Sequence, residues 1–437
     1  MRHRERPSVS SRREKPHSPL DSMRRSKGLC CGSLRLFLFI YRFINQLNFL
    51  YHQQHQQPLS IYCWKGSPRC FRFSLQHPFY RCGIVFLMVL VLVSLVIFTF
   101  LMSKNNGGHG IWEAYTVDPK HVKLVHSFVK NLLKQECKPS FARKAMIAQF
   151  SDSSQVNDYF VTKNTNFMET MFKYPPPFGF KNMRSRLLDV LSLLPSPAKE
   201  QDSKPCRRCA VIGNGGILRG LELGTLIDQF DVVIRLNSGP VRKFSKDVGN
   251  KTTIRMSYPE GCPVLWQDID PDVLFVAVVF KSVDFSWLKA MINKQRVSFW
   301  DWIFFWQRVP EHVPIAASQF RILNPEIIRQ TALDLLHFPA PEPKFWGWSQ
   351  KVPTLGISAL NLATYLCDEV SLAGFGYNMS QPSAPLHYFE NMLMDAMKKE
   401  KMHNVDTERA FLTGLAEAGI ITDLTGGIHC SFCQNGS

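Results

Sequence analysis

Two histidines near the C-terminal end have the residue types and neighbours for proton and phosphate chemistry. His387 opens His387-Tyr388-Phe389-Glu390, and His403 is followed by Glu408. Imidazole titrates near neutral pH, so a neutral ring can take a proton from a sugar hydroxyl and a charged one can stabilise a departing phosphate. For an isolated histidine a solvent-facing or core position is the commoner case. Glu408 lies about 500° round a helix from His403 at roughly 100° per residue, so contact between them does not follow, and a capping or surface carboxylate is the competing reading.

Upstream, the stretch GNGGILRG offers Gly213, Gly215, Gly216 and Gly220. Glycines between a strand and a helix let backbone N–H groups approach a phosphate, where the helix N-terminus adds favourable partial charge. A dinucleotide fingerprint would need glycine where Leu218 stands, and the next apolar run ends in Arg235-Leu236-Asn237 without an acidic residue for a ribose. NAD chemistry is therefore disfavoured, while a purely structural glycine turn stays open. Cys206 with Cys209 and Cys430 with Cys433 have the local spacing of zinc ligands, but the two pairs are too far apart for a zinc ribbon.

These groups need elements to position them. Cys209 to Gly213 is a short apolar run, Asn214-Gly215-Gly216 a turn, Leu218 to Gln229 an amphipathic stretch, and Asp231 to Asn237 a second apolar run, which spells strand, turn, helix, strand. Further strands are expected at Val273 to Phe280, Phe320 to Leu323 and Val370 to Phe375, with helices at Pro325 to His337 and Gly356 to Asp368. Such alternation favours an α/β fold, a mostly parallel sheet with helices on both faces.

The 437 residues carry a net charge of +17, which invites a nucleic-acid reading until the charge is located. Residues 1–82 hold 15 Lys and Arg against 3 Asp and Glu, leaving 37 against 32 for the remainder. The folded part is thus nearly neutral, and a nucleic-acid-binding core is disfavoured. Between the two lies Gly83 to Met102, 20 residues without a charge, enough helix at about 1.5 Å per residue to cross a bilayer's hydrocarbon core. Arg69, Arg72 and Arg81 precede it and only Lys104 follows closely, so the positive-inside rule puts the N-terminus in the cytosol. The expected organisation is a basic cytosolic tail (1–82), one transmembrane signal anchor (83–102), a stem (103–136) and a lumenal domain (137–437). The apolar stretch Leu34 to Tyr51 carries Arg35 and Arg42 and reads as interfacial or as part of a disordered tail.

Seven cysteines lie beyond the anchor, at 137, 206, 209, 262, 367, 430 and 433, in a compartment where disulfides form; the odd number leaves at least one free or paired between chains. The sequons at Asn250, Asn378 and Asn435 lie on the same side. Phe299, Trp300, Trp302, Phe304, Phe305 and Trp306 crowd one stretch, either as a surface that meets the membrane or as core.

Together these stretches resemble the animal sialyltransferases, type II Golgi membrane proteins with four short motifs in fixed order. Cys206 to Arg255 resembles the large sialylmotif, Pro353 to Tyr377 the small one, His387 to Glu390 the third and His403 to Glu408 the last. The resemblance covers roughly residues 120–425. Within the family, PPPFGF, RLNSGP, VGNKTTIRMSYPEG, FVAVVFKSVDFSWL and GFGYNMSQPSAPLHYFE look closest to the branch that acts on the glycolipid lactosylceramide. The resemblance implies a modified GT-A-like, Rossmann-type sheet, CMP-sialic acid as donor, inversion at the anomeric carbon and no required metal or other cofactor. It implies His403 as general base, His387 at the departing phosphate, and Asn214, Asn237, Gly356 and Gly376 as contacts to CMP. It further implies disulfides Cys209–Cys367 and Cys137–Cys206 and glycans at Asn250 and Asn378. Self-association or assembly with other glycosyltransferases stays open. So do another galactose-terminated acceptor, on glycolipid or glycoprotein, and a non-catalytic Golgi partner protein. Cys430 to Ser437 and the tail depart from the family pattern, with Met23 an alternative start.

Overall fold

The computed structural model describes residues 87–96, 117–196, 204–345, 347–376, 384–394 and 403–433. The chain divides into two compact units, residues 1–107 and 108–437. In the first, residues 87–96 are helical, with apolar side chains from Leu87 to Val93 exposed. The rest of the expected anchor and the whole basic tail lie outside the described residues. Among those described, no helix is long and apolar enough to cross a membrane.

The second unit is built on one sheet. Its strands are β1 (Phe160–Val161), β2 (Arg208–Ile212), β3 (Val232–Leu236), β4 (Ile254–Ser257), β5 (Leu274–Ala277), β6 (Phe320–Leu323), β7 (Glu369–Ala373) and β8 (Thr422–Asp423). Their spatial order is β1-β6-β5-β4-β3-β2-β7-β8, and every pairing is parallel except that of β1 with β6. The strands read as continuous apolar runs because both faces are covered. Cys209 and Val211 of β2 pack into one core cluster, Ala210 and Ile212 into another, as the two-residue period of a strand requires.

The first face carries α2 (Phe141–Gln149), α6 (Pro325–Gln330), α7 (Leu355–Leu366) and α8 (Val405–Glu417); the second carries α1 (Pro119–Lys134), α3 (Arg184–Leu193) and α4 (Ser282–Ile292), with the short α5 (Phe299–Trp302) after it. Asp118 caps α1 by accepting from the Lys120 N–H at 2.8 Å, and a proline follows at the first helical position, where its missing N–H costs nothing. α7 is apolar nearly all round and almost wholly buried, as a helix in the centre of a domain must be.

Three expectations need correction. Leu218 to Gln229 is not one helix: a 3-10 turn at Gly216–Leu218 and a single turn at Gly224–Ile227 replace it. Gly220 and Glu222 hold left-handed φ values of +78° and +53°, which no continuous right-handed helix admits. The helix from Pro325 stays α-helical only to Gln330 and widens to a π turn over Thr331–Leu335. The stretch given to the stem contains α1, whose Val125 and Val129 are fully buried and whose Phe128 ring lies 4.8 Å from that of Phe432. His126 donates from its ring to the Leu221 carbonyl at 2.8 Å. The helix therefore belongs to the sheet unit, and its core partners lie about a hundred or more residues away in sequence.

Candidate active site

β2 and β7 are parallel neighbours from which the chain departs in opposite directions, to β3 and to β8. A crevice opens beyond the carboxyl ends of strands at such a reversal, the usual ligand site of open α/β sheets. Here it is a cleft of about 530 Å³. Asn214, Asn237, Gly356, Gly376, His387 and His403 all line it, so the site residues expected from four separate stretches meet in one place.

The turn after β2 is tied to the turn after β7: Gly213 N–H donates to Ala373 O at 2.8 Å and Gly215 N–H to Gly374 O at 2.9 Å. The segment bearing His387 docks on the same turn, through Gly216 N–H to Leu386 O at 2.9 Å and Tyr388 N–H to Asn214 O at 3.1 Å. Gly376 has φ +89°, and a Cβ there would run into the Gly427 carbonyl, so only glycine fits. At Gly356, on the first turn of α7, a Cβ would lie 2.7 Å from the Phe375 ring.

Asn237 follows β3 with a left-handed φ of +50° and accepts from the Ser257 hydroxyl at 3.1 Å. Arg255 holds this bend, donating to Asn237 O at 2.8 Å and Gly239 O at 3.0 Å while paired with Asp268 at 2.5 Å. Burial alone would raise the Asp268 carboxyl, but the Arg255 charge, its hydrogen bonds and the Thr252 hydroxyl outweigh burial and hold it below the usual range. Burial pushes the Tyr388 phenol up to about 12, so it stays protonated and donates to Pro240 O at 2.7 Å.

His403 Nδ1 lies 2.9 Å from the Val352 carbonyl. A carbonyl oxygen only accepts, so Nδ1 carries the proton and the lone pair of the neutral ring is on Nε2. His387 Nδ1 contacts the Glu390 carboxylate, which likewise only accepts. Glu408 is neither a surface group nor a direct hydrogen-bond partner of His403. It is buried, and its two oxygens accept from the Thr354 N–H at 2.7 Å and the Thr354 hydroxyl at 2.6 Å. Burial raises its carboxyl; the Thr354 bonds and the nearby His403 oppose that shift.

The cleft also takes in Tyr258, Glu260, Phe280, Lys281 and Trp306, which the sequence did not single out as site residues. The available signal was positional: YPE directly follows β4 and Phe280-Lys281 closely follows β5, both at the carboxyl edge where the crevice lies.

Cys209 is disulfide-bonded to Cys367, Cys137 to Cys206, and Cys430 to Cys433. The last pair had no expected role; it flanks Phe432, the residue packed on α1. None of the cysteines of the zinc alternative is free, and Cys262 is a buried thiol. The spacing Asp268-Ile269-Asp270, which in isolation suits a divalent cation, is taken up by the fold: Asp268 binds Arg255 and Thr252, and Asp270 accepts from the Thr252 N–H. Asn250 is exposed, while Thr252 of its sequon is fully buried; Asn378 and Asn435 lie outside the described residues. Phe299, Trp300, Trp302, Phe304 and Trp306 are exposed and only Phe305 is buried, which removes the core reading for all but one of the six.

Residues 160–420 match the family described as glycosyltransferase family 29 (sialyltransferase). The chain belongs to glycosyltransferase family 29, the sialyltransferases. It is 50% identical over 316 residues to the lactosylceramide alpha-2,3-sialyltransferase of Mus musculus, covering 72% of this chain and 76% of that protein. It is 41% identical over 302 residues to the Homo sapiens CMP-N-acetylneuraminate-beta-1,4-galactoside alpha-2,3-sialyltransferase, covering 68% and 79%. The crystal structure of a mammalian sialyltransferase superposes with a TM-score of 0.51 at 24% identity, over 66% of this chain and 98% of the other, which is agreement in fold. The matched residues thus take in β1 to β7, both histidines and all of the cleft lining except Ile428.

Proposed function

We propose that this sialyltransferase moves sialic acid from CMP-sialic acid to the 3-hydroxyl of the terminal galactose of lactosylceramide, with inversion. It does so as a single-pass type II protein of the Golgi membrane with residues 103–437 in the lumen. The observation that carries the reaction is the shared cleft: two histidines whose Nδ1 atoms are both engaged, facing a glycine turn at the end of a parallel strand. The relatives at 50% identity favour the glycolipid acceptor over the β-1,4-galactoside acceptor named for the relatives at 41%. The exposed aromatic ridge suits an enzyme whose acceptor sits at a bilayer surface.

In this reading the neutral His403 ring takes the proton of the galactose 3-hydroxyl on Nε2 as that oxygen attacks the anomeric carbon. The bond from that carbon to the CMP phosphate oxygen breaks, and His387, backed by Glu390, neutralises the departing phosphate. Asn214, Asn237, Gly356 and Gly376 contact CMP. A single phosphate leaving group asks less charge stabilisation than a diphosphate, so one imidazolium and a few N–H donors suffice without a metal. The exposed Asn250 and the Asn378 sequon are the proposed glycan sites.

Replacing His403 with alanine tests the reaction. A loss of about a hundredfold or more in kcat with CMP binding retained is expected of a general base, and a loss under about tenfold contradicts the assignment.

A further inference from the structure

Trp306 brings an uncovered indole into the cleft. The residue is 59% exposed, it lines the cleft, and among the described residues nothing stacks on its ring or accepts from its N–H. Trp287, by contrast, is fully buried and its Nε1 donates to Pro310 O at 2.9 Å. The neighbours of Trp306 hold it in place. Phe305 is buried with Lys281 Nζ 4.7 Å over its ring, and the Gln307 side-chain amide donates to the Glu260 carbonyl just beyond β4. With both flanking side chains anchored, the indole between them is presented at a fixed point of the wall. A large apolar face left in water forgoes burial, and in a cleft that must enclose a substrate such a face is a subsite for an apolar surface of that substrate.

The order of features along the sheet edge says which surface. The proposed donor contacts Asn214, Asn237 and Gly376 follow β2, β3 and β7, the neighbouring strands at the reversal. Trp306 is tied through Gln307 to the segment after β4, further along that edge, and directly upstream of it Phe299, Trp300, Trp302 and Phe304 form the exposed ridge. With the donor at the reversal and the ridge at the bilayer, Trp306 falls to the part of the acceptor between its reacting galactose and its lipid. In lactosylceramide that part is glucose, whose equatorial hydroxyls leave C–H groups on both faces of the ring, the surface an indole covers well.

We infer that Trp306 stacks on the inner sugar of the acceptor, the one that carries the terminal galactose, and so selects disaccharide over monosaccharide acceptors. This rests on the acceptor reading above.

The test uses the full-length chain with lactose and methyl β-galactoside, both soluble, so that the ridge and the bilayer play no part; the monosaccharide is measured as a substrate and as a competitor of lactose. Wild type is expected to favour lactose by about tenfold or more in kcat/KM. Trp306→Ala should lower kcat/KM for lactose about tenfold, mainly through KM, while methyl β-galactoside and the KM for CMP-sialic acid move by less than about twofold. Trp306→Phe, which keeps a ring, should recover part of the loss. Equal loss on both sugars would set the indole against the galactose or assign it to the fold, a rise confined to the CMP-sialic acid KM would set it against the donor, and no loss on either would leave it without a substrate contact; each overturns the inference. Should Trp306→Ala fail to fold, a preference for lactose that narrows in Trp306→Phe supports the inference, and equal use of the two acceptors by wild type overturns it. A wild-type chain that takes a different galactose-terminated disaccharide and no lactose defeats the acceptor reading, and the same comparison with that disaccharide then decides the role of Trp306.

Discussion

Glu408 fastens α8 to Thr354, the residue at the N-cap position of α7, with bonds of 2.7 Å from the Thr354 N–H and 2.6 Å from its hydroxyl. His403, just before α8, donates to Val352, two residues before Thr354. The last motif and the small motif therefore meet by hydrogen bonds at the foot of one buried helix, and the position of the His403 ring depends on that joint.

Glutamine at 408 can still accept from the Thr354 N–H and donate to its hydroxyl, whereas alanine leaves both half-buried groups without this partner. Glu408→Ala is expected to lower unfolding free energy by roughly 1–3 kcal/mol and to reduce turnover, with Glu408→Gln close to wild type in thermal unfolding. Equal effects of the two variants would contradict the joint.

The Cys209–Cys367 bond ties the first residues of β2 to the end of α7 across 158 residues of sequence. In the chain-entropy account a loop of that length restricts the unfolded state by about 5 kcal/mol. Cys367→Ser should therefore sharply reduce the yield of folded, exported enzyme, measured as secretion of activity. Normal yield and melting temperature would show that the link is dispensable.

Asp268 gives a pH dependence of known sign. Its folded value lies below the ordinary one, so its pairing with Arg255 stabilises the fold above the unfolded value near about 3.9 and is lost as pH falls through the folded value. Unfolding free energy should drop on acidification below about pH 4, and Asp268→Asn should flatten that part of the profile. Asp268→Ala strands a buried guanidinium and should cost roughly 3–5 kcal/mol. An unchanged acid limb in Asp268→Asn would contradict the pairing.

How much of this was legible in sequence depends on the range over which each feature is encoded. The strand runs at Cys209 to Gly213 and Asp231 to Asn237 carry their own pattern, and the expected parallel pair is β2 with β3. The break at Gly220 and Glu222 was hidden because apolar spacing continues through it while the backbone turns left-handed. The place of α1 in the core was hidden because its partners, Leu221 and Phe432, are remote in sequence. The six site residues carry local motifs, whereas Glu260 and Lys281 are paired only by the adjacency of β4 and β5, which a linear reading does not display.

The aromatic ridge separates a bilayer-borne acceptor from a soluble one. Trp300 and Trp302 are exposed on α5 and Trp306 reaches the cleft. Trp300→Ala combined with Trp302→Ala is expected to lower transfer to lactosylceramide in vesicles about tenfold or more while leaving transfer to free lactose within about twofold. Equal loss on both acceptors would assign the ridge to folding.

Transfer of labelled sialic acid from CMP-sialic acid by the full-length enzyme, with lactosylceramide and a desialylated glycoprotein offered side by side, tests the central claim most directly. Product on lactosylceramide that disappears in His403→Ala is the expected result. Product on the glycoprotein alone, or product on lactosylceramide that survives in His403→Ala, would contradict it.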